Sequence, residues 1–518
     1  MPSNTARIAK NTLMLYFRQI LIMMVSLYTV RVVLNTLGVE DFGIYNVIGG
    51  IVTFFSFLSG TMASATQRFF SFALGQGDFE KLKRTFTVNW IIYGAIAVIA
   101  LVLLETAVLW FVNARLHIPS ERFEAALFVY HFSVLTFVAV IFTTPFMAII
   151  IAHEDMQIYA YISIVEAIMK LSVVFLLMYL AWDKLELYAI LIFAVSVIIF
   201  TIYIFICTKK YRECQFRQFY WDKRLLHEIA GFTGWTLFGQ VTTVMRNQAV
   251  TVLLNQMFNP VIVAARAVAI SISHQIGVFS NNFNVGLYPA IIKSYAADNR
   301  QEMFLLIFRG SKITFFLMWI FALPLFLEMD AVLQLWLKIP PAGAVLFTRL
   351  ALIETLIVSI SLPVITAARA PGKMKIYELT LGIIQIAIFV VSWFVLMLGA
   401  AVYSVFVVAI IANLVMFVVR LLIVRTLIGL SMRLFFRKVV FPVFVVGIFS
   451  ALLAFVIHYI LPEGFIFTCI SVLYSIIITC ICTYFIGLEK FEREKVRSII
   501  VNRVRRIIYY EKIDTQDY

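Results

Sequence analysis

Charge is scarce in this sequence, and what there is leans one way. Asp, Glu, Lys and Arg make up 14% of the 518 residues, with 42 Lys and Arg against 28 Asp and Glu. A soluble domain carries roughly a quarter charged residues, so this chain has too little polar surface to face water on all sides. Histidine is rarer, at 6, and the six are scattered singly without metal-ligand spacing, so no metal centre is expected. Cysteine is sparse and odd in number: Cys207, Cys214, Cys469, Cys480 and Cys482. That count excludes a closed disulfide framework, and the five read as small buried hydrophobes. No glycine-rich loop leads into a Lys-Ser/Thr pair, which excludes ATP hydrolysis through a P-loop. Long polar connections are missing as well, so there is no room for a soluble catalytic domain, and no catalytic grouping is visible. The chain is not expected to be an enzyme, and no cofactor is expected.

What remains is apolar. The chain is 63% hydrophobic with a mean hydropathy of +0.97, a surface for which lipid is the comfortable solvent. The fold class expected is an all-α polytopic membrane protein. The net charge of +14 does not point to nucleic acid, because the basic residues sit in short clusters between apolar runs, where anionic lipid meets them.

Breaks at charged or turn-rich positions leave about fourteen apolar segments, each near the roughly 20 residues that a span needs. They fall near 11–35, 42–73, 86–112, 123–152, 157–181, 186–207, 230–257, 260–292, 304–328, 343–369, 376–399, 401–424, 438–461 and 464–487. The first lacks a small-residue cleavage site and reads as a retained span. Lys81, Lys83 and Arg84, the run from Lys209 to Arg224, Arg300, Arg309 and Lys312, Lys373 and Lys375, and Arg433, Arg437 and Lys438 all fall on alternate connections. The other connections carry only Arg115, Arg122, Lys184 and Lys338. By the excess of positive charge the first set faces the cytoplasm, and both termini are expected there.

The chain also repeats itself. Leu116-His117-Ile118-Pro119 returns as Leu337-Lys338-Ile339-Pro340 after 221 positions, and Leu34-Asn35 as Leu254-Asn255 after 220. Pro145, Ala152, Met156, Ile158 and Tyr159 return as Pro363, Ala370, Met374, Ile376 and Tyr377 after 218. Each copy holds six spans, an even number, so the copies share one orientation as a parallel repeat. The expected organisation is a first lobe over 1–208, a connecting segment over 209–229, a second lobe over 230–426, two further helices over 427–487 and a basic tail over 488–518. Phe216, Phe219, Tyr220 and Trp221 suggest an interfacial helix in the connecting segment. Val496, Ile500, Val504 and Ile507 give the tail an amphipathic stripe.

A charge at bilayer depth costs at least about 2.5 kcal/mol, so each deep polar group asks for a partner or a wet cavity. Segments seven and eight are the least lipid-like, with Arg246, Asn247, Arg266 and His274 among their polar residues. Arg246 and Arg266 reach similar depths on either side of the turn at Asn259-Pro260, and two guanidiniums at one level suit a phosphate group. In the first lobe Arg18, Arg31 and Arg68, with a stripe of Ser56, Ser59, Ala63 and Gln67, would turn polar faces to a shared interior. His274 reads as a packed polar residue. Glu354, about a dozen residues into its segment, is the candidate for coupling to protons or sodium. Glu166 and Lys170 are four apart and read as a pair along one helix face. Gly49, Gly50 and Gly60 read as close-packing positions.

Several short motifs give the chain a family resemblance. They are Asn35-Thr36-Leu37-Gly38 with Asp41-Phe42-Gly43-Ile44-Tyr45, Gly75-Gln76-Gly77-Asp78, Leu335-Trp336-Leu337 with Ile339-Pro340, and Ala367-Ala368 with Gly372-Lys373 and Lys375 to Tyr377. On these the chain resembles the polysaccharide-transporter branch of the multidrug/oligosaccharidyl-lipid/polysaccharide exporter superfamily, the O-antigen or capsule flippases. The resemblance implies two six-helix lobes in a V with two extra C-terminal helices, a MATE-like fold. It implies flipping of undecaprenyl-diphosphate-linked oligosaccharide across a bacterial inner membrane, alongside a polysaccharide polymerase. The central cationic cavity of such flippases maps onto Arg246 and Arg266 only by location and charge. A multidrug exporter of the same fold, and a polysaccharide polymerase or ligase, are the alternatives.

Overall fold

The computed structural model describes residues 4–115, 119–216, 218–462, 464–494 and 497, and all regular secondary structure among them is helical. Fourteen helical elements have spanning length. In chain order they are α1 (Asn11–Gly38), α2 (Glu40–Val52 with Ser56–Gln76), α3 (Phe79–Ala114), α4 (Ser120–Ala152), α5 (Met156–Tyr179) and α6 (Lys184–Lys210). There follow α7 (Lys223–Met257), α8 (Pro260–Ala296), α9 (Arg300–Leu327), α10 (Ala344–Arg369), α11 (Lys375–Met397), α12 (Ser404–Ile428), α13 (Met432–Ile460) and α14 (Phe465–Gly487). Twelve of these are long and apolar enough to cross a membrane, and α2 joins them if its two pieces, bent by 44°, are one span. The remaining element, α7, has 35 residues but carries Gln240, Thr242, Thr243, Arg246, Asn247 and Gln248 along its length. A helix so polar needs protein or water beside it, not hydrocarbon alone.

The internal repeat is written into the backbone at its turns. Gly77, which ends α2 at φ 69°, has its counterpart 221 positions on in Asp298, which follows α8 at φ 54°. The next residue in each copy caps the following helix: Asp78 accepts from the Lys81 amide at 2.9 Å, and Asn299 from the Glu302 amide at 3.2 Å. Glu154 (φ 65°) and Gly372 (φ 79°) are likewise 218 apart, in the turns after α4 and α10. Both of those helices contain a proline, Pro145 and Pro363. The break at Gly38, where α1 gives way to α2, recurs between α7 and α8 at Asn259-Pro260. Six helices and their punctuation are therefore used twice, and α13 and α14 stand outside the repeat.

The chain divides into two compact units. The first holds Met1–Ala249, Asn282–Ile307 and Pro363–Phe389; the second holds Val250–Asn281, Phe308–Leu362 and Val390–Tyr518. One end of each of α7 to α11 belongs to the first unit. Within it α4 is the central post, the most buried of the spans, packed against α6, α2 and α3, while α1 lies along α5. Two of its apolar clusters gather residues such as Phe70, Phe146, Ile150 and Val174, and Ile48, Tyr93, Tyr130 and Ile141.

Three expectations are corrected here. The described part of Tyr211–Asp222 forms turns and extended chain, not an interfacial helix. Phe216 packs against Phe86 and Trp90, with ring centroids 5.4 and 5.2 Å away, and pins the connection to the bundle, while Phe219 and Trp221 stay exposed. Gly49, Gly50 and Gly60 have open space where a side chain would stand, and close approach occurs instead at Gly75, Gly239, Gly382 and Gly487. Cys207, Cys214 and Cys482 are buried as free thiols, but Cys469 and Cys480 are exposed on α14. The tail stripe from Val496 to Ile507 lies outside the described residues.

The second unit has a core around Ala265, Phe316, Leu352 and Val446. A charged tie fastens the chain beyond α14 to α9. Lys312 is 2% exposed, and its ammonium donates to Glu492 Oε2 at 3.0 Å and to the Gly487 carbonyl at 3.3 Å. The Arg309 guanidinium stands 2.9 Å from the other oxygen of Glu492. Breaking a buried pair by removing one partner costs about 3–5 kcal/mol, because the other charge is left desolvated. Glu492→Ala is therefore expected to lower the melting temperature of the purified protein, and Glu492→Ala with Lys312→Met to recover much of the loss. An unchanged melting temperature in the single variant would show that the tie carries no stability.

Candidate functional site

A chamber of about 470 Å³ opens inside the first unit, walled by α1, α2, α4, α5 and α6. This is within the range of small-molecule sites, roughly 300–1,000 Å³. Its charge comes from three side chains. Arg18, on α1, lays its guanidinium 4.5 Å from the centre of the Tyr159 ring and 3.4 Å from the Ser163 hydroxyl. The buried Nε of Arg18 has no hydrogen-bond partner among the described residues. On α5 Lys170 donates to Glu166 at 2.7 Å, the pair that their spacing predicts. One positive charge is left over, and it belongs to Arg18.

Hydroxyl groups line the rest. Thr143 and Thr144 donate back to the carbonyls of Ala139 and Val140, both at 2.8 Å, and Ser196 to Ile192 at 3.1 Å. A hydroxyl spent in this way keeps its lone pairs, so it faces the chamber as an acceptor. The hydroxyls of Thr29 and Ser59 are buried on the wall without a partner among the described residues. Tyr159 and Tyr203 add aromatic faces. Cationic donors, hydroxyl acceptors and aromatic rings together suit an anionic, hydroxylated guest.

The same unit contains a clasp, where α2 and the α4–α5 turn meet the ends of α8 and α10. Arg68 is 6% exposed, its guanidinium 4.5 Å from the Phe69 ring and 4.7 Å from the Phe72 ring, and it donates through Nε (3.3 Å) and Nη2 (2.8 Å) to the Ala370 carbonyl. Gly372 permits this, since a Cβ there would stand 2.8 Å from Nη2. Arg369 donates to the Ser64 hydroxyl at 2.6 Å, and the Tyr288 hydroxyl to the Ser64 carbonyl at 3.2 Å. Lys293 reaches Glu154, whose side chain is 1% exposed, at 2.7 Å. Gly75 lets α2 and α8 touch, because any Cβ there would lie 2.7 Å from the Lys293 carbonyl oxygen. The ends of α2, α8 and α10 that take part lead into the connections carrying Lys81, Arg300 and Lys373, so the clasp lies at the basic face.

The residues expected from the sequence are distributed as follows. Arg18, Ser59 and Ala63 line the chamber; Arg68 belongs to the clasp; Gln67 is half-buried and Arg31 exposed. Arg246, in the first unit, is half-buried and donates to Asn247 Oδ1 at 2.8 Å. Arg266, in the second, is buried and donates to Thr251. His274 is exposed, not packed. Glu354 is half-buried in the second unit and accepts from Asn413 Nδ2 at 3.0 Å. Sequence reasoning missed Tyr159 and Tyr203 as wall residues, and Glu154 with Lys293 as a pair. It also left Glu166 and Lys170 as scaffold, although both border the chamber. No group of His, Cys, Asp and Glu able to hold a metal occurs among the described residues.

No family model and no curated protein matches the sequence. Solved structures do match the fold. A multidrug resistance MATE family transporter of the MOP superfamily, in an outward-facing conformation, superposes with a TM-score of 0.72 at 13% identity, covering 82% of this chain and 96% of that one. A MATE protein in its straight conformation gives 0.70 at 13% identity over 82% and 96%. A mutant of the Vibrio cholerae MATE transporter VcmN gives 0.64 at 15% identity over 84% and 99%. At such identities the likeness is one of fold, and the chain has the MATE fold: an all-α polytopic architecture with the six-helix unit used twice.

Proposed function

We propose that this protein is an exporter that works by alternating access and carries an anionic, lipid-linked oligosaccharide from the cytoplasmic to the outer leaflet of a bacterial inner membrane. The observation that carries the reading is the charge of the chamber: Glu166 is its one acid among the described residues and is bound up by Lys170, while Arg18 has no acid partner. A site for cationic drugs wants the opposite balance. A polyprenyl diphosphate sugar has a hydrated anionic head that cannot cross hydrocarbon unaided, and a tail that need not leave it. A cationic, hydroxyl-lined interior supports carriage of such a head. Arg246 and Arg266, each in its own unit, are further candidate donors to the diphosphate, and Glu354 would couple the movement to protons or sodium. The partners implied are membrane lipid and a polysaccharide polymerase that uses the exported unit.

The test is deletion in the native host followed by analysis of lipid-linked intermediates. Full-length repeat units stranded on the inner leaflet are expected, cleared by the wild-type gene. Exported single units without polymer would mark a polymerase instead. An undisturbed pool of intermediates with new sensitivity to cationic drugs would mark a drug exporter.

A further inference from the structure

A second cavity, of about 440 Å³, lies in the second unit between α9 and the neighbouring ends of α13 and α14. Its wall includes Lys312, Arg437 and Lys438, with Glu489 as the one acid. Lys312 is engaged by Glu492, so it contributes field but not a free donor. Arg437 is exposed and makes no hydrogen bond or ion pair among the described residues. Lys438 stands 3.5 Å from Glu489, too far for a strong hydrogen bond. Two cations thus face a concave space with little to satisfy them.

The backbone around this cleft is irregular in a particular way. Both helices that shape it switch to π geometry beside it, α13 at Phe436–Val440 and α14 at Thr483–Gly487. Such bulges sit disproportionately at functional positions, because they widen the helix and re-aim its side chains. Gly487 is required by close packing, since a Cβ there would fall 2.6 Å from the Phe316 ring. The chain next to the lining residues is apolar and outward: Phe436 is 56% exposed, Phe441 65% and Phe485 62%. Cations beside exposed phenylalanines describe a place where a polar headgroup and its acyl chains can be held together. The cleft also belongs to the connection of Arg433, Arg437 and Lys438, on the basic face where anionic lipid is attracted.

We propose that this cleft binds the phosphate headgroup of an anionic membrane lipid, with Arg437 and Lys438 as its donors and the exposed phenylalanines as the seat of its acyl chains. The ligand is structural and stays in its leaflet. It holds α13 and α14 against α9, and the site is independent of the chamber and of the substrate carried there.

The test uses the purified full chain in detergent, with melting temperature read against added phosphatidylglycerol, phosphatidylcholine or glycerol phosphate, and bound lipid counted by native mass spectrometry. Phosphatidylglycerol is expected to raise the melting temperature above the other two. Arg437→Gln with Lys438→Gln is expected to lose that rise and to cut retained phosphatidylglycerol about tenfold, the scale of a lost charge-assisted contact. Arg224→Gln, on an exposed connection, is expected to keep both. Equal stabilisation by phosphatidylcholine, or an effect in the double variant no larger than in Arg224→Gln, would overturn the site. Equal stabilisation by glycerol phosphate alone would overturn its assignment to a lipid.

Discussion

Replacing Lys293 by Met is expected to open the clasp of the first unit. The pair it makes with Glu154 has one well-buried member: the Glu154 side chain is 1% exposed, while Lys293 keeps 24%. Removing the cation leaves the carboxylate desolvated without its partner, a loss of about 3–5 kcal/mol for a fully buried pair and less here because Lys293 is partly wet. A loss of about 2 kcal/mol shifts an equilibrium by roughly thirtyfold, enough to raise a minor open arrangement to a measurable population though short of the roughly ten-thousandfold that a full switch needs. The reporter is Ser294→Cys in a background without the five native cysteines; Ser294 is 8% exposed beside Lys293. Labelling by an aqueous thiol reagent is expected to accelerate in Lys293→Met and to fall back when Glu154→Gln is added, because the buried negative charge is then gone. Unchanged labelling in Lys293→Met would show that the glycine contacts at Gly75 and Gly372 hold the clasp alone.

Much of the architecture was legible because the spans are long. A run of twenty apolar residues has few alternatives, so the fourteen segments match fourteen helical elements, and the repeat of proline and turn residues marks equivalent corners. Which face of each helix looks inward was less legible. Arg18 and Arg31 were weighed alike, yet thirteen positions at 3.6 residues per turn place them about 140° apart around α1. One lines the chamber and the other is exposed. That separation was present in the numbering and went unused. The role of Glu166 and Lys170 was not readable locally, since the same spacing decorates the surface of any soluble helix. Five helices have to close around the pair before it becomes part of a wall. Phe216 misled for a related reason: an aromatic in a basic connection suits an interface equally well whether it meets lipid or an aromatic cluster.

The chamber separates the two transport readings by charge. Arg18→Ala removes the chamber's one cation without an acid partner among the described residues, and it is expected to reduce flipping of a polyprenyl-diphosphate sugar analogue in proteoliposomes by about ten- to a hundredfold. That is the range set by a charge-assisted hydrogen bond of about 1.5–3 kcal/mol. Protein levels in the membrane should hold, because Arg18 makes one long hydrogen bond and a ring contact and supports no core. Arg18→Lys keeps the charge but loses the planar fork, so it should restore only part of the rate. Glu166→Gln is the sharper probe. It releases Lys170 from its 2.7 Å bond and leaves two cations in a space that had one in excess. A carrier of anions should bind its substrate as well or better after that change, with slower release if the gain is large. A carrier of cations would lose its only acid in the chamber and fail. Full activity in Arg18→Ala together with failure of Glu166→Gln would reverse the assignment of substrate charge.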